Sequence, residues 1–273
     1  MASLQEAAYG EAADYENGSP HLAHPQLRNR VIASIREVVL ERMRALGRCR
    51  VLEVGAGHGA FTDHVLALGA EVTITEMSRP MCSVLRRRLE HNALVSVHHD
   101  PDGEELFRQR DRFDVVLFIS VLHHIPDYLE FLSRIVDRVT PGGSLLSYQD
   151  PLFYPRRSWL SLKVDRTAFL MWRVFQGELR RGLATQMRRW RGTYDETALG
   201  DMVEYHVVRQ GVDEEAIVAL LGPRFANVSL IRYWSSANIT LQRLGERTGA
   251  ANTFGLLATG RRNAPHLDGS STS

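Results

Sequence analysis

The length, composition and charge of the chain exclude several classes of protein. Its 273 residues suffice for a large domain with a buried core, and a content of 44% hydrophobic and 24% charged residues is ordinary for a globular protein. Two cysteines, Cys49 and Cys82, are too few for a disulfide framework or a zinc site. No apolar run is long enough to span a membrane, and no export signal is recognisable at the start. A net charge of +1 gives no overall attraction to nucleic acid or membranes, and we expect a cytoplasmic protein.

The hydrophobic pattern up to residue 150 predicts helices and strands in alternation. Apolar residues recur every three to four positions after Pro25, which predicts a long amphipathic helix. The predicted strands are 50–54, 71–76, 95–97, 113–119 and 144–149, and the predicted helices between them are 60–68, 80–91 and 128–139. Because strands that alternate with helices form parallel βαβ units, this pattern predicts an α/β fold with a mainly parallel sheet.

The pattern changes after residue 150. Residues 156–205 are mostly helical without strand alternation, which indicates an insertion, and two strands follow at 227–234 and 253–259. Asp213 predicts the start of a short helix because aspartate is a good N-cap residue. The predicted units are an N-terminal helical cap (1–45), a core (46–150), an arginine-rich helical lid (151–205), the rest of the core (206–262) and a disordered tail (263–273).

A glycine-rich loop follows the first strand in the pattern Glu53-x-Gly55-x-Gly57-x-Gly59. Glycines let a backbone turn tightly and approach a ligand just before a helix begins. Glu76 ends the next strand, 17 residues after Gly59, at the edge where neighbouring strand ends meet a ligand, and its carboxylate can accept both hydroxyls of a ribose. A nicotinamide dinucleotide site usually has the spacing G-x-G-x-x-G, whereas the third glycine here comes one residue earlier.

This motif and those after it resemble class I S-adenosylmethionine-dependent methyltransferases. The further matching segments are residues 100–103, 113–116, 120–127, 141–143 and 252–258. The resemblance covers residues 45–150 closely and residues 206–262 less closely. It implies a Rossmann-like, seven-stranded mixed sheet with an antiparallel seventh strand, an N-terminal helical cap and an inserted helical lid. It also implies S-adenosylmethionine as cofactor and S-adenosylhomocysteine as product.

The resemblance implies a set of cofactor-binding residues. They are Glu53, Gly55, Gly57, Gly59, Glu76, Met77, Asp100, Asp102, Ile119 and Ser120. One acid after the third strand would face the adenine amino group. The spacing to Phe113 favours Asp100, but Pro101 after it has no N–H to donate to the adenine ring, which favours Asp102.

Three residues are candidates for catalysis. Methyl transfer needs alignment, and it needs a base where the acceptor carries a proton. His123 and His124 follow the fourth strand, beside the expected methyl group, and histidine is the natural base near neutral pH. We predict His123 as the base; the alternative is that both histidines only satisfy backbone groups. Asp150 ends the fifth strand and could orient His123, bind the substrate or form an Asp-Pro turn. The sequence implies no metal.

The expected acceptor is a small molecule, anionic or aromatic, from bacterial natural-product or antibiotic biosynthesis. Tyr15, His21 and Trp172 are candidate substrate or lid residues. Residues 156–191 hold ten basic residues and two acidic ones. Three interpretations fit this pattern: a helical lid with its arginines in solvent, a site for an anionic acceptor, or a surface that binds nucleic acid. Nucleic acid is disfavoured because the motif of base amino-methyltransferases is absent after the fourth strand. A homodimer stays open, as do a methyltransferase fold that works as a cyclase or binder without transfer, and a nicotinamide-dependent oxidoreductase.

Overall fold

A computed structural model describes residues 19–108, 110–158 and 210–263. The predictions for Tyr15, for Trp172, for most of the lid and for nearly all of the tail lie outside these ranges.

The described elements alternate along the chain, as the pattern predicted. The helices are α1 (Pro20–Ala23), α2 (Pro25–Leu46), α3 (Thr62–Leu66), α4 (Arg79–Leu89), α5 (Glu105–Arg108), α6 (Tyr128–Val136), α7 (Glu214–Leu221) and α8 (Ile239–Thr248). The strands are β1 (Arg50–Val54), β2 (Glu71–Glu76), β3 (Val95–His99), β4 (Phe113–Ile119), β5 (Val139–Pro151), β6 (Phe225–Tyr233) and β7 (Thr253–Arg261). None of these helices combines the length and the apolar character that crossing a bilayer requires.

The strands form one seven-stranded sheet in the order β3-β2-β1-β4-β5-β7-β6. Strands β1 to β5 pair in parallel, and β7 runs antiparallel to both β5 and β6. This topology confirms the predicted mixed sheet with an antiparallel seventh strand. The whole of β4 is buried because helices cover both faces of the sheet, which is why a parallel strand reads as a continuous apolar run.

Two hydrophobic clusters cover the two faces of the sheet. One contains the apolar stripe of α2, including Val31, Ile35 and Val38, at the spacing that predicted this helix. The other contains the inner residues of α6 and α7, including Leu132 and Ile217. The sheet therefore has a layer of helices on each face. The carboxyl ends of β1 to β5 all lie at the same end of the sheet.

The structure departs from the predicted elements at several places. Residues 141–143, which the sequence suggested as a stop before β5, lie inside the strand, where Gly142 has φ +73° and the pairing with β4 shifts register. Helix α3 is shorter than predicted because the glycine loop continues to Phe61. Helix α8 was not predicted at all, although Asn238 caps its start and Gly249 ends it in the left-handed region.

The chain leaves the sheet after β5 and returns at the same point. Leu152 forms a β-bridge with Val212, and the backbone N–H of Tyr154 donates to the carbonyl of Gln210 over 2.7 Å. The two ends of the intervening segment are therefore adjacent, next to the carboxyl end of β5.

Candidate active site

The glycine loop that follows β1 has no protein atoms packed against it where a Cβ of Gly57 would stand. Gly55, Gly57 and Gly59 all have positive φ, of +65°, +56° and +74°. A Cβ at Gly57 would meet no atom within 4 Å, whereas one at Gly55 would lie 2.9 Å from a methyl of Val121. The loop at Gly57 is thus accessible to a ligand, and Gly55 lets the loop pack closely against the chain after β4.

Glu76 links the end of β2 to this loop. Its Oε2 accepts the backbone N–H of Gly57 at 3.0 Å, and its Oε1 accepts that of Ser78 at 2.9 Å. Burial raises the pKa of this carboxyl, and the bonds from the backbone oppose the shift. A carboxylate has about four acceptor sites, so one fixed in this way suits the hydroxyls of a ribose.

Glu53 lies beneath the loop and lines a small pocket there. Its carboxylate accepts a 2.6 Å hydrogen bond from the Thr62 hydroxyl, and burial raises its pKa to about 7. The pocket lining also includes Ile119 and His21, two further predicted site residues. A cationic ligand group beside Glu53 would favour its ionised form, so the residue fits the amino group of a bound amino-acid moiety.

The two acids after β3 have different surroundings. Asp100 is buried, and its carboxylate accepts the backbone N–H groups of Glu105 and Leu106 at 3.1 and 3.4 Å. Asp102 is exposed and accepts the N–H of Glu104. Asp100 therefore caps the start of α5. Which of the two acids faces adenine stays a prediction.

Two predicted residues stand at strand ends beside the loop. Met77, directly after β2, is half-buried, and its carbonyl accepts a bond from His99 at 3.0 Å. Ser120, directly after β4, has φ +61° and donates its N–H to the carbonyl of Tyr148 at 2.8 Å. A non-glycine residue in this region is strained, and the turn at Ser120 leads the chain toward the histidines.

His123 and Asp150 form a hydrogen-bonded pair at the carboxyl ends of the parallel strands. The two atoms His123 Nδ1 and Asp150 Oδ1 are 2.7 Å apart, and the same oxygen accepts the backbone N–H of His123 at 3.1 Å. Asp150 is fully buried, and the side chain of His123 is 11% exposed. Because a carboxylate accepts the proton on Nδ1, the neutral imidazole carries its lone pair on Nε2. Asp150 is therefore placed to orient His123, and which of its three predicted roles it fills stays a prediction.

Two more histidines lie near this pair. The ring of His124 is 4.0 Å from that of His123, centroid to centroid. His21 comes from α1, is buried and stacks on Phe61 at 5.9 Å. Burial, and then the charge of His123, lower the pKa of His21 to about 4. Helix α1 thus brings His21 to the pocket beside Glu53, and its role toward a substrate or as part of a lid stays a prediction.

Sequence reasoning missed Ser147, whose hydroxyl donates to Asp150 Oδ2 at 2.9 Å. Residues three apart in a regular strand point to opposite faces, so the spacing gave no signal for this contact. Within the ranges that the structure describes, no three His, Cys, Asp or Glu side chains are grouped as metal ligands would be.

Residues 52–145 match the family model described as a methyltransferase domain. This match agrees with the resemblance to class I S-adenosylmethionine-dependent methyltransferases that the motifs indicated. The matched residues run from β1 into β5 and include the glycine loop, Glu76 and the histidine pair.

The chain is 31% identical over 107 residues to the ubiquinone biosynthesis O-methyltransferase of Aromatoleum aromaticum, a match that covers 39% of this chain and 46% of that relative. The chain therefore spans about half the length of the curated relatives it matches.

Two solved structures show the same fold. The N-methyltransferase NodS of Bradyrhizobium japonicum WM9, in complex with S-adenosylhomocysteine, has a TM-score of 0.55 and 15% identity over 96% of this chain and 97% of that one. The CurJ carbon methyltransferase has a TM-score of 0.55 and 16% identity over 93% of this chain and 59% of that one. These names cover oxygen, nitrogen and carbon acceptors, so the acceptor has to be inferred from the site itself.

Proposed function

We propose that the protein transfers a methyl group from S-adenosylmethionine to a hydroxyl oxygen of a small molecule. The observation that supports this acceptor is the His123–Asp150 pair. An amine can attack as the neutral form with its own lone pair, whereas a hydroxyl needs its proton removed, and a buried carboxylate behind a histidine serves that task.

The residues of the chain divide the work between binding and proton transfer. Glu76 holds the ribose hydroxyls, Glu53 the amino group, and the loop around Gly57 lets the ligand approach the backbone. S-adenosylmethionine supplies an electrophilic methyl group and leaves as S-adenosylhomocysteine. His123 takes the hydroxyl proton on Nε2, and Asp150 stabilises the resulting imidazolium through Nδ1.

The chemistry of the base favours a phenol as acceptor. A histidine accepts a proton most effectively from a group whose pKa is not far above its own, and a phenolic hydroxyl, at about 10, is closer than an aliphatic one. The name of the A. aromaticum relative, an O-methyltransferase of ubiquinone biosynthesis, agrees with an oxygen acceptor. An aromatic natural product of the bacterial cytoplasm fits the same chemistry.

Calorimetric titration with S-adenosylhomocysteine tests the cofactor. We expect micromolar binding by the wild type and a loss of about 1–3 kcal/mol in Glu76→Ala for the unmade hydroxyl contacts. Glu71→Ala, at the exposed start of the same strand, is the matched control and should bind normally. No binding by folded wild type, or binding of a nicotinamide dinucleotide instead, would contradict the proposal.

Assays with a panel of phenols and catechols test the acceptor. We expect His123→Gln to lower kcat by about 10²- to 10⁴-fold, and His91→Gln, a change at a fully exposed histidine, to leave it unchanged. Cofactor binding without S-adenosylhomocysteine formation on any hydroxyl would instead favour a binder or a cyclase.

A further inference from the structure

Strand β5 contains one extra residue just before Asp150. Tyr148 pairs with Gly255 and Asp150 pairs with Phe254, so two steps along β5 match one step along β7. The extra residue is Gln149, which has φ +70°. This is a β-bulge, a feature that bends a strand and re-aims the side chains after it.

The bulge reverses the face on which the following side chains lie. Before it, Leu146 and Tyr148 pack in the cluster that contains α2. In a regular strand Asp150 and Leu152 would share that face, but Leu152 packs in the opposite cluster. Asp150 also meets the Ser147 hydroxyl at 2.9 Å, a contact that a regular strand would not allow. Gln149 thus turns Asp150 toward His123.

Tyr233, the last residue of β6, holds the bulge in place. Its hydroxyl oxygen accepts the backbone N–H of Gln149 at 3.1 Å, and the hydroxyl donates to the Gln149 side-chain carbonyl at 3.2 Å. The Gln149 amide in turn donates to the hydroxyl of Ser235. Tyr233 is buried, and burial raises its pKa well above the usual range, so the hydroxyl keeps its proton.

We propose that Gln149 and Tyr233 are positioning residues that hold Asp150 in line with His123 and thereby fix the imidazole tautomer. A glutamine has no preference for positive φ, so its side-chain bonds are what stabilise the bulge. The titratable groups that face His123 in the described ranges include Asp150 of β5, His124 beside it and His21 of α1. Of these, Asp150 bonds directly to Nδ1. The expected effect of these residues on catalysis rests on the proposed function. The expected tautomer of His123 is a property of the free protein and does not depend on that function.

The tautomer is measured by long-range ¹H–¹⁵N NMR of the imidazoles in the free protein. We expect the wild type to carry the His123 proton on Nδ1, and Tyr233→Phe and Gln149→Ala to contain a substantial share of the Nε2-protonated form. Gln149→Gly should keep the wild-type tautomer, because glycine adopts positive φ without the side-chain bonds. Tyr148→Phe is the matched control: it removes a buried hydroxyl bonded to Ser34 at 2.8 Å and leaves the bulge contacts intact.

Kinetics test the same inference on the reaction. We expect Tyr233→Phe to lower kcat about tenfold with little change in KM, and to have no further effect in an Asp150→Asn background, because the two changes act on one unit. An unaltered tautomer in both Tyr233→Phe and Gln149→Ala, an equal shift in Tyr148→Phe, or additive losses with Asp150→Asn would overturn the proposal. If Tyr233→Phe folds poorly, the comparison of Gln149→Ala with Gln149→Gly decides. A wild type without methyl transfer would end the proposed function while leaving the tautomer result interpretable.

Discussion

Glu53 and His21 line the same pocket, and burial shifts their pKa values in opposite directions. The pKa of Glu53 rises to about 7 and that of His21 falls to about 4. Both residues are therefore neutral over much of the acidic range. Burying these groups in their neutral forms costs less than burying them charged, and a cationic ligand group would favour the ionised form of Glu53.

The first prediction concerns the pH dependence of stability. A raised carboxyl pKa contributes stability that is present below the unfolded value of 4.5 and is lost as the pH rises to about 7. The advantage of the wild type over Glu53→Gln should therefore fall by ~3 kcal/mol across that window. The lowered pKa of His21 acts in the other direction, so the advantage over His21→Leu should grow by ~3 kcal/mol from pH 4 to 6.5.

Urea denaturation of the three proteins at half-unit pH steps measures both slopes. Between pH 4.5 and 6.5 the two contributions should nearly cancel in the wild type. Parallel profiles for all three proteins would show that neither group is buried as described.

The second prediction concerns Glu53 and the amino group of the cofactor product. If an ammonium binds beside Glu53, binding requires the ionised carboxylate, and the affinity for S-adenosylhomocysteine should fall as the pH drops below 7, by at most about tenfold per pH unit. Glu53→Gln should bind more weakly at pH 8, with a flat profile. Adenosine, which lacks the ammonium, is the control ligand; an equally steep profile for adenosine would contradict the assignment.

The third prediction separates two glycines of the loop. Gly57→Ala should cost about 1–2 kcal/mol for an alanine at positive φ and weaken S-adenosylhomocysteine binding, because the added Cβ enters the open space of the loop. Gly47→Ala is the matched control: it has φ +71°, no neighbours within 4 Å and a position at the end of α2, so it should lose the same stability without losing affinity.

Gly55→Ala should destabilise by a further 1–3 kcal/mol or so, since its Cβ would lie 2.9 Å from Val121. Val121→Ala should recover part of that loss. Equal unfolding free energies for Gly55→Ala and Gly57→Ala would refute the close packing of the loop against Val121.

The fourth prediction concerns Asp114, a buried carboxylate at the amino end of β4, away from the candidate site. Asp114 accepts bonds from Arg42 at 3.4 Å, from the backbone of Arg50 at 2.9 Å and from Thr140 at 2.7 Å. Asp114→Ala should cost about 3–5 kcal/mol because it leaves the buried Arg42 without its counter-charge. Asp111→Ala, which removes an exposed ion pair to Arg50, should cost about 1 kcal/mol or less. Similar midpoints in thermal unfolding would be evidence against a buried network.

Local patterns predicted most of the fold and part of the site. Strand β4 was predicted with the bounds that the structure has because a fully buried parallel strand shows one unbroken apolar run. His123 and Asp150 were both candidates because they follow strand ends. Their contact was one alternative among several, since it depends on a bulge at Gln149. Glutamine is not a residue type that signals positive φ, so the bulge left no trace in the sequence.

The β-bridge between Leu152 and Val212 has a consequence for how this protein can change over evolution. The chain on either side of residues 159–209 is already joined by backbone hydrogen bonds, and the seven strands of the described sheet all come from residues outside that range. Exchange, lengthening or removal of the stretch would therefore leave the sheet pairing intact. Because the ends of the stretch lie beside Asp150, we expect a new sequence there to affect the proposed choice of acceptor and to leave the glycine loop and Glu76 as they are.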